Sequence, residues 1–324
     1  MTTGSGSPDG ASGSTAFRVA TYNLYLGADL GLVLGAWEPD EMQPRLGEVL
    51  RQIEATAFPK RVDALAALIV REQVDLVGLQ EVCTWAADGA TLWDFQADLL
   101  AALETAGEAY DVVVEQSTFR GTGAVTPEGR DPVSLHLAGS NVILRRRASP
   151  VVVLATDSGI FDEALTLPAL GQGEVAITRG WCRAQCLVGD QHLDFVNTHT
   201  EAHDQRSREG QRDELLRALS SRSVPVVLVG DFNSRPHEIG MPDHFADAWV
   251  VAGHVADGPE AGTYGQQPDL TNVESTLHER IDYVWVRDLT VRSCRRIGDH
   301  PDDRSAGGLW PSDHAGVVAE LALP

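Results

Sequence analysis

Groups able to bind a cation or move a proton stand at six places where an apolar run stops or starts. RVATYN ends at Asn23, DLVGLQE at Glu81, LDFVNTH at Asn197 and His199, and VPVVLVGDFN at Asp231 and Asn233. RIDYVWV carries Asp282 near its start, and PSDHAGVVAEL carries Asp313 and His314 just before its own. In an antiparallel sheet, alternate strands present starts and ends at the same edge, so all six places can meet on one rim. Carboxylates gathered there repel one another. A pair about 4 Å apart costs roughly 1 kcal/mol in water and about 4 kcal/mol at an effective dielectric of 20. A divalent cation offsets that cost. Asn amides with Asp and Glu carboxylates are hard oxygen donors, which suit Mg²⁺, Mn²⁺ or Ca²⁺ better than Zn²⁺. Such an ion holds a phosphoryl oxygen and orients an attacking water, and histidines that titrate near neutrality can handle the proton.

The elements that must position these groups are mostly strands. Short apolar, β-branched runs at 17–22, 75–79, 110–114, 141–144, 151–154, 175–177, 193–196, 224–229, 281–286 and 315–321 spread over the whole chain, which implies large sheets in one domain. Helical periodicity covers 45–57 and 61–72, broken around Pro59, and recurs over 92–103 and 205–220. Three stretches, 117–137, 157–173 and 234–278, show neither pattern and are expected to be long irregular loops that set specificity.

Composition narrows the class. The 324 residues carry 25 Lys+Arg against 47 Asp+Glu, a net charge of −22. So acidic a surface repels a phosphate backbone and argues against a protein that coats nucleic acid, although bound divalent cations can reverse the sign locally. Four cysteines are too few for a disulfide scaffold. Cys182 and Cys186 fall on one face of a strand as buried thiols. Residues 1–16, rich in Gly, Ser and Thr, read as a disordered tail before a catalytic domain at 17–324. No apolar run reaches transmembrane length, and the expected location is the cytoplasm.

Several features have plainer readings. His199, Glu201 and His203 do not form the HExxH zinc helix, and a solvated His203 at a helix start is the simpler assignment. The run Arg145–Arg146–Arg147 reads as a charged strand end. Arg179 can face a substrate, whereas Trp181 and Trp285 read as core aromatics.

Taken in order, TYNLYLG, LQEV, GSNVILRRR, VNTHTEA, GDFNSRP, RIDYVWV and SDHAGV resemble the motifs of the endonuclease/exonuclease/phosphatase superfamily, across residues 18–321. VNTHTEA is nearest to its sphingomyelinase-like and bacterial phosphohydrolase branches. The resemblance implies an α+β fold, a four-layer α/β/β/α sandwich of two packed, mostly antiparallel sheets, with the site at one edge. It implies Mg²⁺ or Mn²⁺ as cofactor, with Ca²⁺ an alternative. Glu81 matches the main metal ligand, Asn23 the amide beside the metal and phosphate, and Asp313 a further metal-site carboxylate. Asp231 and Asn233 match the pair that orients the nucleophilic water and the phosphate or a second metal. His314 matches a base or phosphate stabiliser oriented by Asp282, and His199 a general acid or phosphate ligand. Many nucleases of the superfamily have an acidic residue two places after the first Asn; here it is Tyr25.

The function expected is therefore hydrolysis of a small-molecule or lipid-like phosphate ester, mono- or diester. The rivals are an endo- or exonuclease on DNA or RNA, a metal-dependent lyase or transferase of specialised metabolism, and a non-catalytic scaffold on the same fold. Oligomeric state is not legible.

Overall fold

The computed structural model describes residues 15–34, 38–126, 131–169 and 173–324. The tail expected over 1–16 lies outside the described residues, save for its last two positions.

Strands β1 (Ala16–Asn23), β2 (Leu76–Ala87), β3 (Ala90–Asp94), β4 (Tyr110–Val125), β5 (Val133–Arg146), β14 (Thr290–Ile297) and β15 (Gly316–Ala322) make one sheet, ordered β14-β15-β1-β2-β5-β4 with β3 on β2. The second sheet is built from β6 (Val151–Ile160), β9 (Gly180–Val188), β10 (Gln191–His199), β11 (Val226–Asp231), β12 (Ala246–Asp247) and β13 (Asp282–Arg287). Its order is β12-β13-β11-β10-β9-β6. A separate hairpin joins β7 (Leu165–Ala169) to β8 (Gly173–Ile177).

Helices complete the layers. α1 (Pro39–Ala55), α2 (Val62–Arg71) and α3 (Phe95–Thr105) cover the first sheet, while α4 (Gln205–Ser220) covers the second. A short α5 (Ala248–Val251) follows β12. The break between α1 and α2 falls at a 3-10 turn, Phe58–Lys60, around Pro59. In α4, Asp204 caps the first turn by accepting from Ser207 N at 2.7 Å, and Ser207, Gln211, Leu215 and Leu219 repeat every four residues on the buried face.

Strand alternation explains the sandwich. On β1, Phe17 and Val19 enter the core between the sheets, whereas Ala20 and Tyr22 face the helices. On β11, Val227 and Val229 point to that central core and Val226 and Leu228 to α4. Strands buried on both faces read as unbroken apolar runs, which is why these were visible in the sequence. The four cysteines are buried and free, with Cys182 and Cys186 on one face of β9. The arginine run pairs with acids: Arg146 with Asp75 at 2.9 Å, and Arg145 and Arg147 with Asp111.

The irregular-loop expectation is corrected at 117–137. Those residues, apart from 127–130 outside the described set, belong mostly to β4 and β5, paired from Tyr110↔Arg146 out to Val125↔Val133. Over 117–125, STFRGTGAV, glycines stand where apolar residues would mark a strand face, so the period is lost there, whereas VSLHL at 133–137 does alternate. The stretch 157–173 holds the end of β6, β7 and the first residue of β8. Residues 234–278 remain largely irregular, with β12 and α5 inside them. Strands β3, β7, β12 and β14 were absent from the expected set, β9 was foreseen only as the strand that carries Cys182 and Cys186, and 92–103 divides into the end of β3 and most of α3.

One polar layer crosses the central core. Asn197 Nδ2 on β10 donates to Leu79 O and Val142 O of the opposite sheet, at 2.9 and 3.1 Å. Its Oδ1 accepts from Gln80 Nε2 at 2.6 Å. Gly78 leaves room for this crossing, because a Cβ there would lie 2.8 Å from Asn197 Cγ and 2.6 Å from Val229 Cγ2. Gly78→Ala is therefore expected to destabilise the fold by about 1–3 kcal/mol through overpacking, read as a lower urea midpoint at unchanged slope.

Candidate active site

Strand pairing gathers the polar ends. β1 and β2 run parallel with Asn23 opposite Gln80, and β10 and β11 run parallel with His199 opposite Asp231. The antiparallel β13 places Asp282 opposite Asp231. β15 is antiparallel to β1, so Asp313 and His314, just before it, lie at the edge where β1 ends. The expected rim forms, but with parallel pairs at its centre as well as antiparallel ones.

Asn23 Nδ2 donates to both Glu81 Oε1, at 3.3 Å, and Asp231 Oδ2, at 3.0 Å. One amide thus binds carboxylates from both sheets. Glu81 sits where the β2–β5 register shifts between Leu79 and Val82, at a positive φ of 53°. This local bulge re-aims its side chain, and Glu81 Oε2 accepts from Leu26 N at 2.7 Å. Asn233, at φ 46°, donates its backbone N–H to Asp231 Oδ1 at 2.9 Å and its side-chain amide to Thr200 O. Tyr25 takes no acidic role: its N–H donates to Asn23 Oδ1 and its hydroxyl to Pro268 O.

His314 Nδ1 lies 2.9 Å from Asp282 Oδ2, and its Nε2 lies 3.8 Å from both Asp231 Oδ2 and Asp313 Oδ1. Tyr264 packs over the ring at a centroid distance of 4.8 Å. Burial disfavours the imidazolium, but Asp282 and Asp313 outweigh it and hold the His314 pKa well above the usual value. His199 Nε2 is 3.4 Å from Asp231 Oδ2, yet its pKa is held well below normal by burial and by the Arg179 guanidinium, whose Nη1 is 3.2–3.3 Å from both ring nitrogens. The two histidines are therefore driven to opposite charge states. Burial raises Asp231 and Asp313 to about 7, aided by Asp282 at the first and Glu81 at the second.

These carboxylates fit a hard cation. Asp231 and Asp313 are buried with their anionic forms disfavoured, and Glu81 and Asp313 present carboxylate oxygens to the cavity, while Asn23 turns its Nδ2 to Glu81 and Asp231 and its Oδ1 to Tyr25 N. Ligand atoms of Asp231, Asp282 and His314 all lie within 4.8 Å of one another, near enough to hold an ion as well, although the Asp282–His314 hydrogen bond already joins two of them. All eight expected residues stand in this one region.

The sequence did not reveal three supports. Arg61, fully buried, donates to Leu24 O, Tyr25 O and Pro311 O, tying the end of β1 to the residue before Ser312. Ser312 Oγ donates to Asn23 O at 2.7 Å. Glu201, also fully buried, lies 3.6 Å from Arg179 Nε and accepts from His203 N, so it backs the arginine, while His203 is exposed before α4. Arg179, which the sequence suggested could face a substrate, is the group that Glu201 backs.

A cavity of about 380 Å³ opens over Glu81, Arg179, His199, Asp231, Asn233, Asp313 and His314. The profile of the Endonuclease/Exonuclease/phosphatase family matches residues 20–314. The chain belongs to that family. The buried Asp231, Asp282 and His314 group, with the carboxylates around it, is the candidate centre. Nocturnin of Xenopus laevis is 26% identical over 175 residues, 49% of this chain and 44% of that protein, so the chain spans less than half the length of that relative. The structure of D. rerio TDP2 complexed with single strand DNA product superposes with a TM-score of 0.58 at 16% identity, covering 95% of this chain and 99% of that one. The mannosyl-6-phosphatase of Bacteroides thetaiotaomicron gives 0.54 at 16%, covering 95% and 100%. Both likenesses establish the fold alone.

If the oxygen donors take up a cation, Mg²⁺ or Mn²⁺ is expected to raise the thermal midpoint of the purified protein by several degrees through mass action. Glu81→Gln should abolish most of that shift. An equal shift in the variant would remove Glu81 from the metal site.

Proposed function

We propose that the chain is a divalent-metal-dependent hydrolase of phosphate esters, acting on a small-molecule or lipid-like substrate. The observation that carries this reading is the joint hold of Asn23 on Glu81 and Asp231, beside a His314 that is paired with Asp282 and faces the same cavity. Glu81 and Asp313 would hold Mg²⁺ or Mn²⁺, with Asn23, expected beside the metal, bracing Glu81 through its amide; Ca²⁺ suits the same carboxylates. When bound, the ion offsets the charge that builds on the phosphoryl oxygens during in-line attack.

The side chains divide the remaining work. Asp282 fixes the His314 ring through Nδ1, so Nε2 points to the cavity as a donor to a phosphoryl oxygen. Asp231 and Asn233 orient the attacking water, and the raised pKa of Asp231 suits it to accept a proton. His199 was expected as a general acid or a phosphate ligand. Its neutral state beside Arg179 favours the second role, with the two side chains together receiving phosphate oxygens. Arg179 in turn is backed by Glu201.

Net charge supports a small substrate over a polymer: at −22 the protein repels nucleic acid outside the immediate reach of the cation. The free, buried thiols support a cytoplasmic setting. No helix among the described residues is long and apolar enough to cross a membrane.

Incubation with Mn²⁺ and a panel of phosphomono- and diesters, plasmid and oligonucleotide tests the reading. Turnover of small esters with intact DNA is expected, and cutting of DNA with the esters untouched would replace the substrate assignment by a nuclease. His314→Ala should lower kcat by about 10² to 10⁴ at an unchanged far-ultraviolet circular dichroism spectrum. Wild-type activity in that variant would remove His314 from the chemistry.

A further inference from the structure

The cavity over the site is larger than a phosphate group requires and its two ends differ in character. At about 380 Å³ it falls within the roughly 300–1,000 Å³ of pockets that enclose whole small organic molecules. One end holds the carboxylates, histidines and Arg179 already described. The other runs between the β4–β5 hairpin and the segment that leads from β1 into α1.

That second end is apolar on both walls. Phe119, Leu135 and Leu137 line it from the hairpin, and Val33, Leu46 and Val49 from the other side. Hairpin register explains the chemistry: Gly121 pairs with Leu137 and Gly123 with Leu135, so both pairs share one face. The side chains of the intervening Thr122–His136 pair hydrogen-bond to each other at 3.0 Å, and Thr118 and Thr122 are the hydroxyl residues among this end's lining. On the other wall Leu46 and Val49 are three apart on one face of α1. Asp29, which lines the pocket, turns its exposed carboxylate to Gly31 N at 2.8 Å. Apart from Asp29, the exposed His203 and the centre itself, no charged or imidazole side chain is among the described lining residues.

Glycines keep the space open. A Cβ on Gly123 would lie 3.4 Å from Leu46 Cδ2, and one on Gly139 would lie 3.4 Å from Thr118 Oγ1. Neither position has a positive φ, so backbone strain does not account for either glycine. What each withholds is side-chain volume beside the arm.

We infer that the substrate is a phosphate ester of an apolar alcohol, its hydrocarbon part lying in this arm while the phosphate sits among Arg179, His199 and the metal-binding carboxylates. This rests on the phosphoesterase reading and narrows it. A sugar, nucleoside or inositol leaving group would place hydroxyls against walls that offer them few partners, at a desolvation cost. A hydrocarbon chain gains from the same walls, since each buried methylene is worth about 0.8 kcal/mol, or about fourfold. The arm serves a monoester of a long alcohol and a diester of a lipid alcohol alike.

The test is a chain-length series on the full chain with Mn²⁺: methyl, butyl, hexyl and octyl phosphate, each below its micelle concentration, with the matching alkyl methyl phosphates as diesters. For whichever series is hydrolysed, kcat/KM should climb about fourfold per methylene until the arm is filled, more than about 100-fold from methyl to octyl in total. The series that turns over separates the monoester from the diester source. Leu46→Trp and Gly123→Leu, which fill the arm from opposite walls, should each cut the octyl-to-methyl ratio at least tenfold. Equal hydrolysis of all chain lengths would overturn the apolar arm while leaving the phosphoesterase reading intact. If no ester is hydrolysed, the reaction assignment fails, and binding then decides on the arm. Calorimetry should show octylphosphonate bound far more tightly than methylphosphonate, and equal affinities would overturn the inference.

Discussion

The position of one buried amide decides whether the two sheets can share a site at all. Asn197 reaches from β10 to two carbonyl oxygens of the facing sheet, and Gln80 closes the set. In an apolar core, a slip between the sheets would strand these groups without partners, at about 1–3 kcal/mol for each unsatisfied group. Apolar contacts on either side tolerate sliding far better than directional bonds do. The polar layer therefore fixes the alignment, and the catalytic rim lies at the ends of the same strands, two residues further along β10 and one beyond Gln80. Asn23 with Glu81 comes from one sheet, and His199, Asp231 and Asp282 come from the other. Each half is useless without the other in register.

Electrostatics then divides the rim into complementary parts. Burial acts alike on every ionisable group by disfavouring charge, so neighbours decide the outcome. His314, among Asp282, Asp313 and Asp231, is held as imidazolium; His199, against Arg179, is held neutral. Identical side chains less than a strand's width from the same Asp231 thus take opposite states. Arg179 does not carry its charge unaided, because Glu201 lies behind it with no solvent exposure. Arg61 performs a different task. Its guanidinium is spent on backbone carbonyls, and it holds the two chain segments that carry Asn23 and Asp313.

The sequence made most of this site legible for a physical reason. Central strands buried on both faces are continuous apolar runs, so a carboxylate or amide at their ends stands out, as in VVLVGD and DFVNTH. All eight expected residues come from such boundaries. Strands exposed on one face leave a weaker trace. β14 spaces its apolar residues, Val291, Cys294 and Ile297, three apart across a register shift, and β4 is rich in glycine at its distal end, so both escaped. Arg61 left no sign either: beyond Thr56 O, five residues away, its partners are backbone carbonyls 36, 37 and 250 residues distant. Tyr264 lies in an irregular stretch and meets His314 only through the fold.

Local strain shows how the rim is held rigid before any substrate arrives. Tyr25, Glu81 and Asn233 adopt positive φ angles of 56°, 53° and 46°, a left-handed conformation that costs non-glycine residues on the order of 1 kcal/mol or more. Each is offset by a bond that the strained geometry itself makes available. Tyr25 N donates to Asn23 Oδ1, Leu26 N to Glu81 Oε2, and Asn233 N to Asp231 Oδ1. The acceptors are the side chains proposed to hold the cation, brace its ligand and orient the water, so backbone strain is converted into fixed orientation of those oxygens. Dipoles set in place during folding need no reorganisation when charge develops on phosphorus. Relaxing any of the three turns would free an acceptor to rotate, and the rim would retain its residues while losing the geometry that makes them act together.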